Sequence, residues 1–554
     1  MRIVIVGGVA GGMSAATRMR RLDENAEIIV IERSGHVSFA NCGLPYHVGG
    51  VIEEREDLLL QTPASLKERF NLDVRVNTEV VSIDRESREV LIRDADGSST
   101  IQYDALVLSP GARPVRPPIP GIERALSLRD IEDLDAMVNA AGGASSVAVI
   151  GGGFIGLELA ENLRHRGLEV TLVEAMDQVM APLDPEMADV VQQRLRDNGV
   201  DLVLGASVIG IGPAEVTLSS GETRPADLVV AAIGVRPDTD LAEAAGLAVG
   251  PRGGIAVDAN LRTSDPAIYA VGDAVEKKDA LDDSEALVPL ANTANLQGRR
   301  VADIIAGHPV GDRPVLGTAI VGVFGLHVGV TGWNEKRLRA AGRAYRAIHV
   351  HPNDHAGYYP GASRVSIKLL IDAETDAILG AQAVGEGGVD KRIDVIATAM
   401  TGGIRASELA ELELAYAPQF GSAKDPINML GYIAENIRDG VTETVQWHQL
   451  ADVLAAGATV IDVRTPAEFA KGAIPGAINV PLDDLRERYA ELPEGRLVVN
   501  CQVGLRGHTA ARLLTQLGRE VANLDGGYLT WAAGTQASDK KSFSMAATSS
   551  LVSA

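Results

Sequence analysis

The chain has 554 residues, too many for one ordinary core, and its length predicts three or four domains. A composition of 46% apolar and 23% charged residues is that of a soluble globular protein, while a net charge of −23 and 4% aromatics argue against a general nucleic-acid binder. No apolar run reaches the ~20 residues that span a bilayer, so no membrane contact is expected, and two cysteines exclude a disulfide framework and fit a reducing, cytoplasmic setting.

Arg2 to Val6 read as a buried parallel strand, so the chain is expected to open on folded structure and not on a signal peptide. "GGVAGG" follows: Gly7, Gly8, Ala10, Gly11 and Gly12 form a turn that leads into a helix-like run from Met13 to Leu22. A second apolar strand runs from Glu27 to Ile31 and ends at Glu32. Backbone N–H groups at such a helix start hold a pyrophosphate, and the acid accepts from ribose hydroxyls. The middle glycine of G-x-G-x-x-G is replaced by Val9, so this turn alone is equally compatible with a structural role. "SFANCGLPY", Ser38 to Tyr46, then carries Cys42. Most free cysteines are inert core residues, so Cys42 calls for a reason before it is read as reactive. "YDALVLSPGARP" is a strand running into a turn at Gly111.

The unit recurs in "SVAVIGGGFIGLELAENLRHRGLEVTLVEAMDQV", where Gly151, Gly153 and Gly156 keep the full spacing and Glu174 ends the next strand. An acid there suits a free ribose 2′-hydroxyl and repels a 2′-phosphate, which favours NADH over NADPH. "ADLVVAAIGVRPDTD", with Gly234, and "TSDPAIYAVGDA", with Gly272 and Asp273, repeat the strand-and-turn pattern. Two dinucleotide units predict two dinucleotides.

This order resembles the two-dinucleotide flavoprotein disulfide reductases over roughly the first 435 residues. The resemblance implies FAD in the first unit, NADH in the second, and Asp273 on the flavin's ribityl chain. It also implies Lys424 at the flavin site and a homodimer built by a C-terminal domain. Beyond Asn436, "IRDGVTETVQ" reads as a polar connector. "ATVIDVRTPAEFAKGAIPGAINVP" and "RLVVNCQVGLRGHTAARLLTQLG" then resemble a single rhodanese domain with a Cys-x-x-Gly-x-Arg loop made by Cys501, Gly504 and Arg506. Asp462 and Arg464 are expected to fix that loop and Arg506 to hold an anionic sulfur donor; a helix start aimed at Cys501 stabilises a thiolate and its persulfide. The expected fold class is α/β: two Rossmann-like dinucleotide-binding domains, an α+β dimerisation domain and a C-terminal α/β rhodanese domain. The expected boundaries are FAD-binding 1–115 and 246–315, NADH-binding 116–245, dimerisation 316–436, a linker 437–446, rhodanese 447–536 and a disordered tail 537–554.

In dithiol members of the reductase family a second cysteine stands five residues after the first; here that position is His47. Cys42 must therefore meet a sulfur or an oxygen brought by a substrate. "SFANCGLPY", "HAGYYPG" and "AYAPQFGSAKDPINM" resemble coenzyme A disulfide reductases and NADH-dependent persulfide reductases. That resemblance implies reduction of a persulfide, polysulfide or coenzyme A disulfide through a mixed disulfide or persulfide on Cys42. It also implies Tyr358 and Tyr416 reaching the site from the other subunit, and coenzyme A, as substrate or bound ligand, on Ser14, Arg18, Arg21, Ser38 and Asn41. Arg18 and Arg21 lie three apart on one helix face; charge alone favours a solvated flank, and it is the resemblance that makes them an anion site. A lysine that some relatives use for coenzyme A aligns with Phe70. Two other readings stay open: an NADH oxidase or peroxidase working through a Cys42 sulfenic acid, and a sulfur carrier whose output is the rhodanese domain. No metal is expected.

Overall fold

The computed structural model describes residues 1–538, and the chain divides into two compact units, Met1–Ala175 with Gly199–Gly317, and Met176–Asn198 with Thr318 onward. The α/β class and its four-part architecture are as the sequence predicts.

The first unit is built on two parallel sheets. One runs Ile268–Ala270, Ala105–Leu108, Arg2–Val6, Glu27–Ile31, Asp73–Arg75. Its central strand is buried on both faces: Ile3 and Ile5 pack with Met13 and Met19 of the helix Ala10–Leu22, while Val4 packs with Ile29 and Leu106 on the other side. Such two-sided burial is why the strand reads as a continuous apolar run. The second sheet runs Asp201–Leu204, Glu169–Glu174, Ser146–Ile150, Leu228–Ala231. Ile268–Ala270 rejoins the first sheet after the second is complete, so one nucleotide unit is inserted into the other. In each sheet the glycine turn leaves a strand that has neighbours on both sides, the switch point where ligands of open α/β sheets bind.

In the second unit an antiparallel sheet runs Ala319–Val323, Leu326–Gly332, Ile378–Gly385, Val365–Asp372, Tyr345–Val350. Ile367, Leu369 and Ile371 face a core closed by the helices Val389–Gly402 and Pro426–Arg438. The alternate position, Lys368, points the other way and is fully buried. Its ammonium lies 2.9 Å from Asp184 and also pairs with Glu186, on the helix Pro185–Asp197. Sequence order places this helix between two strands of the second nucleotide sheet, but its buried carboxylates pair here, which explains why the segment packs in the second unit. A parallel sheet, Glu443–Val445, Val521–Leu524, Leu497–Asn500, Thr459–Asp462, Ile478–Asn479, follows. Residues 527–538 are helical, so Ala537 and Ser538 are ordered where a tail was expected; the rest of that expected tail lies outside the described residues. Among the described residues no helix is long and apolar enough to cross a membrane.

Candidate active site

The two glycine turns share one geometry. Gly7 has a φ of +100°, and a side chain there would meet the Ser109 carbonyl at 2.0 Å. A methyl at Gly12 would sit 1.9 Å from Gly7 O, so only glycine lets the helix approach its strand so closely. Gly151 (φ +106°) and Gly156 repeat this, with a methyl at Gly156 falling 1.9 Å from Gly151 O. The strand-end acids are already engaged: Gly8 N–H donates to Glu32 at 2.7 Å, and Gly152 N–H donates to Glu174 at 2.7 Å. Val9 takes the non-helical position before the first helix without disturbing the turn. Gly153 faces open space, as close approach of a ligand to the backbone requires. Gly111 and Gly234 both have positive φ, at +74° and +114°.

Asp273 follows Gly272, whose N–H donates to Gln297 at 2.9 Å. Its Oδ1 is buried with no hydrogen-bond partner, and burial raises its carboxyl above the ordinary range. Lys277, beside it, donates to the Gly272 and Val288 carbonyls at 2.8 and 2.9 Å and is pushed down to about 8 by burial. An orphaned carboxylate oxygen at this strand end fits a polyhydroxylated chain, and with the glycine cradle the residues fit FAD; the second turn fits a nicotinamide dinucleotide.

Cys42 lies on a one-turn helix, Asn41–Gly43, and is exposed, with Sγ 3.9 Å from Asn41 Oδ1. The turn is tied to the first glycine loop because Ser38 N–H donates to Gly8 O at 2.8 Å. Leu44, Pro45 and Val48 anchor the following helix in the core. His47, at the place of a second cysteine, contacts Ile52 O through Nδ1 at 2.8 Å and holds the loop. Burial of the inward side of Cys42 pushes its thiol up, and the carboxylates of Glu158 and then Asp273 add to the rise.

Glu158 was missed by the motif reading. It sits on the helix Phe154–His165, just past Gly156, and accepts a hydrogen bond from Tyr46 at 3.1 Å. Burial pushes its carboxyl up to about 7 against the opposing effect of that bond, and Glu161 adds to the rise. Its signal was available: a lone acid between Leu157 and Leu159, both fully buried.

The residues expected to hold coenzyme A are only partly free. Arg18 is committed to Asp303 at 2.6 Å, whereas Arg21 and Asn41 are exposed. Ser14 donates to Asn295, a second missed residue, on the helix Ala291–Ile305. Helix Ala10–Leu22 meets this helix so closely that a methyl on Gly298 would fall 2.2 Å from Gly11 O. Phe70 packs at the margin of the core.

In the second unit the Tyr358 and Tyr416 hydroxyls lie 3.0 Å apart, on side chains that are 76% and 48% exposed. Phe420, four residues past Tyr416, is 69% exposed. Lys424 is exposed nearby in sequence.

Cys501 directly follows the strand Leu497–Asn500 and is fully buried. Its loop turns through Gly504, at φ +92°, into the helix Leu505–Gln516. Arg464 and Asp462 form a buried pair at 2.7 Å; Arg464 also donates to Gln502 at 3.2 Å and stacks 4.3 Å over Tyr528. Both therefore brace the loop. Arg506 pairs with Glu468 at 2.7 Å, and this bond holds the Glu468 carboxyl at about 2. Arg506 is raised mainly by Glu468 and further by Cys501.

Comparison with known proteins agrees with this layout. The family model of pyridine nucleotide-disulphide oxidoreductases matches residues 1–298, that of their dimerisation domain 318–425, and a rhodanese-like domain 446–534. Coenzyme A disulfide reductase of Staphylococcus aureus is 36% identical over 441 residues, 78% of this chain and 100% of the relative. Among solved structures, reduced Bacillus anthracis CoADR-RHD is 48% identical with a TM-score of 0.95, covering 96% of this chain and 98% of that one. An NAD-dependent persulfide reductase from A. fulgidus is 38% identical with a TM-score of 0.91, covering 96% and 100%.

Proposed function

The chain belongs to the pyridine nucleotide-disulphide oxidoreductase family, and we propose that it uses NADH to reduce the sulfur–sulfur bond of a persulfide, polysulfide or coenzyme A disulfide through Cys42. It is an FAD- and NAD(P)H-dependent disulfide/persulfide reductase with a sulfurtransferase domain. The observation that carries this reading is the lone exposed Cys42, joined to the first glycine turn, with His47 where a resolving thiol would stand and a second sulfur loop at Cys501.

The first turn, Glu32 and Asp273 would hold FAD, and the second turn with Glu174 would hold NADH. Bound together, these groups would supply the two electrons that cleave the S–S bond left on Cys42. The chain's own part is nucleophilic and acid–base. Cys42 thiolate attacks the outer or inner sulfur of the substrate, forming one S–S bond and expelling one thiolate or hydrosulfide. The Glu158 carboxylate opposes formation of that thiolate more than Asp273 does, and protonation near pH 7 removes its charge. Ser14, Asn295, Arg21, Ser38 and Asn41 are assigned to a coenzyme A arm. Tyr358 and Tyr416 are assigned to completing the Cys42 site across a homodimer, where a phenol protonates the departing sulfur.

An anaerobic panel with NADH tests this. Coenzyme A persulfide, polysulfide and coenzyme A disulfide are expected to oxidise NADH, the first two with sulfide release. Turnover confined to oxygen or peroxide would replace this reading with the oxidase one.

A further inference from the structure

His349 and His351 stand two residues apart, at the end of the strand Tyr345–Val350, and both reach the segment 525–530 that follows the strand Val521–Leu524. Both belong to the second unit. His349 is fully buried, with Nδ1 2.6 Å from Asp525 Oδ2 and Nε2 3.1 Å from Glu186 Oε1. Its backbone N–H also donates to Asp525, at 3.0 Å. An ionised carboxylate on each ring nitrogen favours a proton on both, the imidazolium form. Burial opposes the charge, but the Asp525 and Glu186 bonds prevail and raise the group to about 9 despite the nearby Lys368. His351 meets hydroxyls instead: Ser366 at 2.8 Å and Thr530 at 2.7 Å. Hydroxyls can donate or accept, and burial holds this ring neutral, its value lowered to about 3.

The gripped segment backs the Cys501 loop. Tyr528 N–H donates to Cys501 O at 2.8 Å, and Leu529 N–H donates to Gln502 O at 3.1 Å. There is no slack between the two grips. A side chain at Gly526 would meet Thr530 Oγ1 at 2.0 Å and His349 Cβ at 2.8 Å, and one at Gly527 would meet Cys501 O at 2.4 Å.

We propose that His349, clasped between Asp525 and Glu186, is a positioning residue for Cys501, holding through the turn 525–528 the carbonyl of the sulfur-bearing residue, with His351 and Thr530 as a second, neutral point of the clasp. The proposal rests on the reading that Cys501 handles sulfane sulfur. It makes the shape of the sulfur loop depend on a strand outside the rhodanese-like domain.

The test is thiosulfate-to-cyanide sulfur transfer by the full, flavin-loaded chain. An asparagine amide replaces the Nδ1 donor facing Asp525, whereas a glutamine amide replaces the Nε2 donor facing Glu186. His349→Gln should therefore lose about tenfold or more in kcat/KM at Cys501, with His349→Asn retaining at least about threefold more than it. NADH oxidation by coenzyme A persulfide at Cys42 should stay near that of the parent in both. Thr530→Val, which leaves the charged point intact, should lose about threefold and decides the matter if the His349 variants do not fold. Equal transfer by parent, His349→Gln and Thr530→Val, or equal losses in the Asn and Gln variants, would overturn the clasp. Transfer that survives in Cys501→Ser would instead overturn the sulfur reading on which it rests.

Discussion

The two cysteines sit in opposite surroundings. Cys42 is exposed on one side, while burial of its other side, then Glu158 and Asp273, disfavours its thiolate. Cys501 is fully buried, in a loop braced by Arg464 and Asp462 and approached by Arg506. The difference teaches where each activation comes from. At Cys501 the chain supplies burial, a braced loop and a guanidinium, Arg506, that it shares with Glu468. At Cys42 the chain supplies position and access, and stabilisation must come from what binds beside it.

The strongest way to break this contrast is to exchange the losses. Cys42→Ser should reduce NADH oxidation by every sulfur substrate by roughly a thousandfold or more. Cys501→Ser should keep turnover on coenzyme A persulfide and lose thiosulfate-to-cyanide transfer. Anaerobic NADH consumption and thiocyanate formation, measured on both proteins, check the division. Sulfide release from coenzyme A persulfide by Cys42→Ser would abolish it.

Next in size is Arg506. Arg506→Ala should cut sulfur transfer at Cys501 by about 10²-fold, the scale of removing one donor aimed at a developing anion. Turnover at Cys42 should not change. Thiocyanate formation against thiosulfate concentration separates a loss of donor binding from a loss of rate, and an unaltered kcat/KM would leave Arg506 as a mere partner of Glu468.

Much of this was legible because it is local. The glycine spacings at Gly7–Gly12 and Gly151–Gly156, each with a strand before and a helix after, define a turn whose physics is closed within about thirty residues. The Cys501 loop, between an apolar strand and a helix, is local in the same sense. What the sequence hid is long-range. Tyr46 meets Glu158, Ser14 meets Asn295, Arg18 meets Asp303 and His349 meets Asp525 across separations that no periodicity encodes. Arg18 is an example: the resemblance places it at an anion site, and the structure pairs it with Asp303, 285 residues along the chain. The helix Pro185–Asp197 shows the same limit: Lys368, which pairs with its Glu186 and with Asp184 just before it, lies far along the chain.

Glu174 offers a smaller and sharper test of the first unit. Glu174→Ala removes the charge expected to repel a 2′-phosphate and also an acceptor of Gly152 N–H. The ratio of kcat/KM for NADH over NADPH should fall about tenfold, the equivalent of ~1.4 kcal/mol. If the ratio holds while both values drop together, Glu174 supports the turn and does not select the nucleotide.

The smallest expected effect concerns Glu158, and its pH dependence carries the sign. The Glu158 carboxyl is pushed up to about 7, so it is neutral well below that pH and charged above it. Once charged, it opposes ionisation of Cys42, whose thiol is already pushed up by burial. As pH rises, Glu158 therefore ionises first and delays the thiolate. Glu158→Gln keeps an acceptor for Tyr46 and removes the charge. In a Cys501→Ser background, alkylation of Cys42 by iodoacetamide should then run about two- to fivefold faster than in the Glu158 protein above pH 8. The two rates should converge toward pH 5.5, where the parent carboxyl is protonated. A gain that is the same at both ends of the range would mean that the substitution opened the site sterically. No gain at pH 8 would mean that Glu158 is screened from Cys42, leaving burial as what restrains the thiolate.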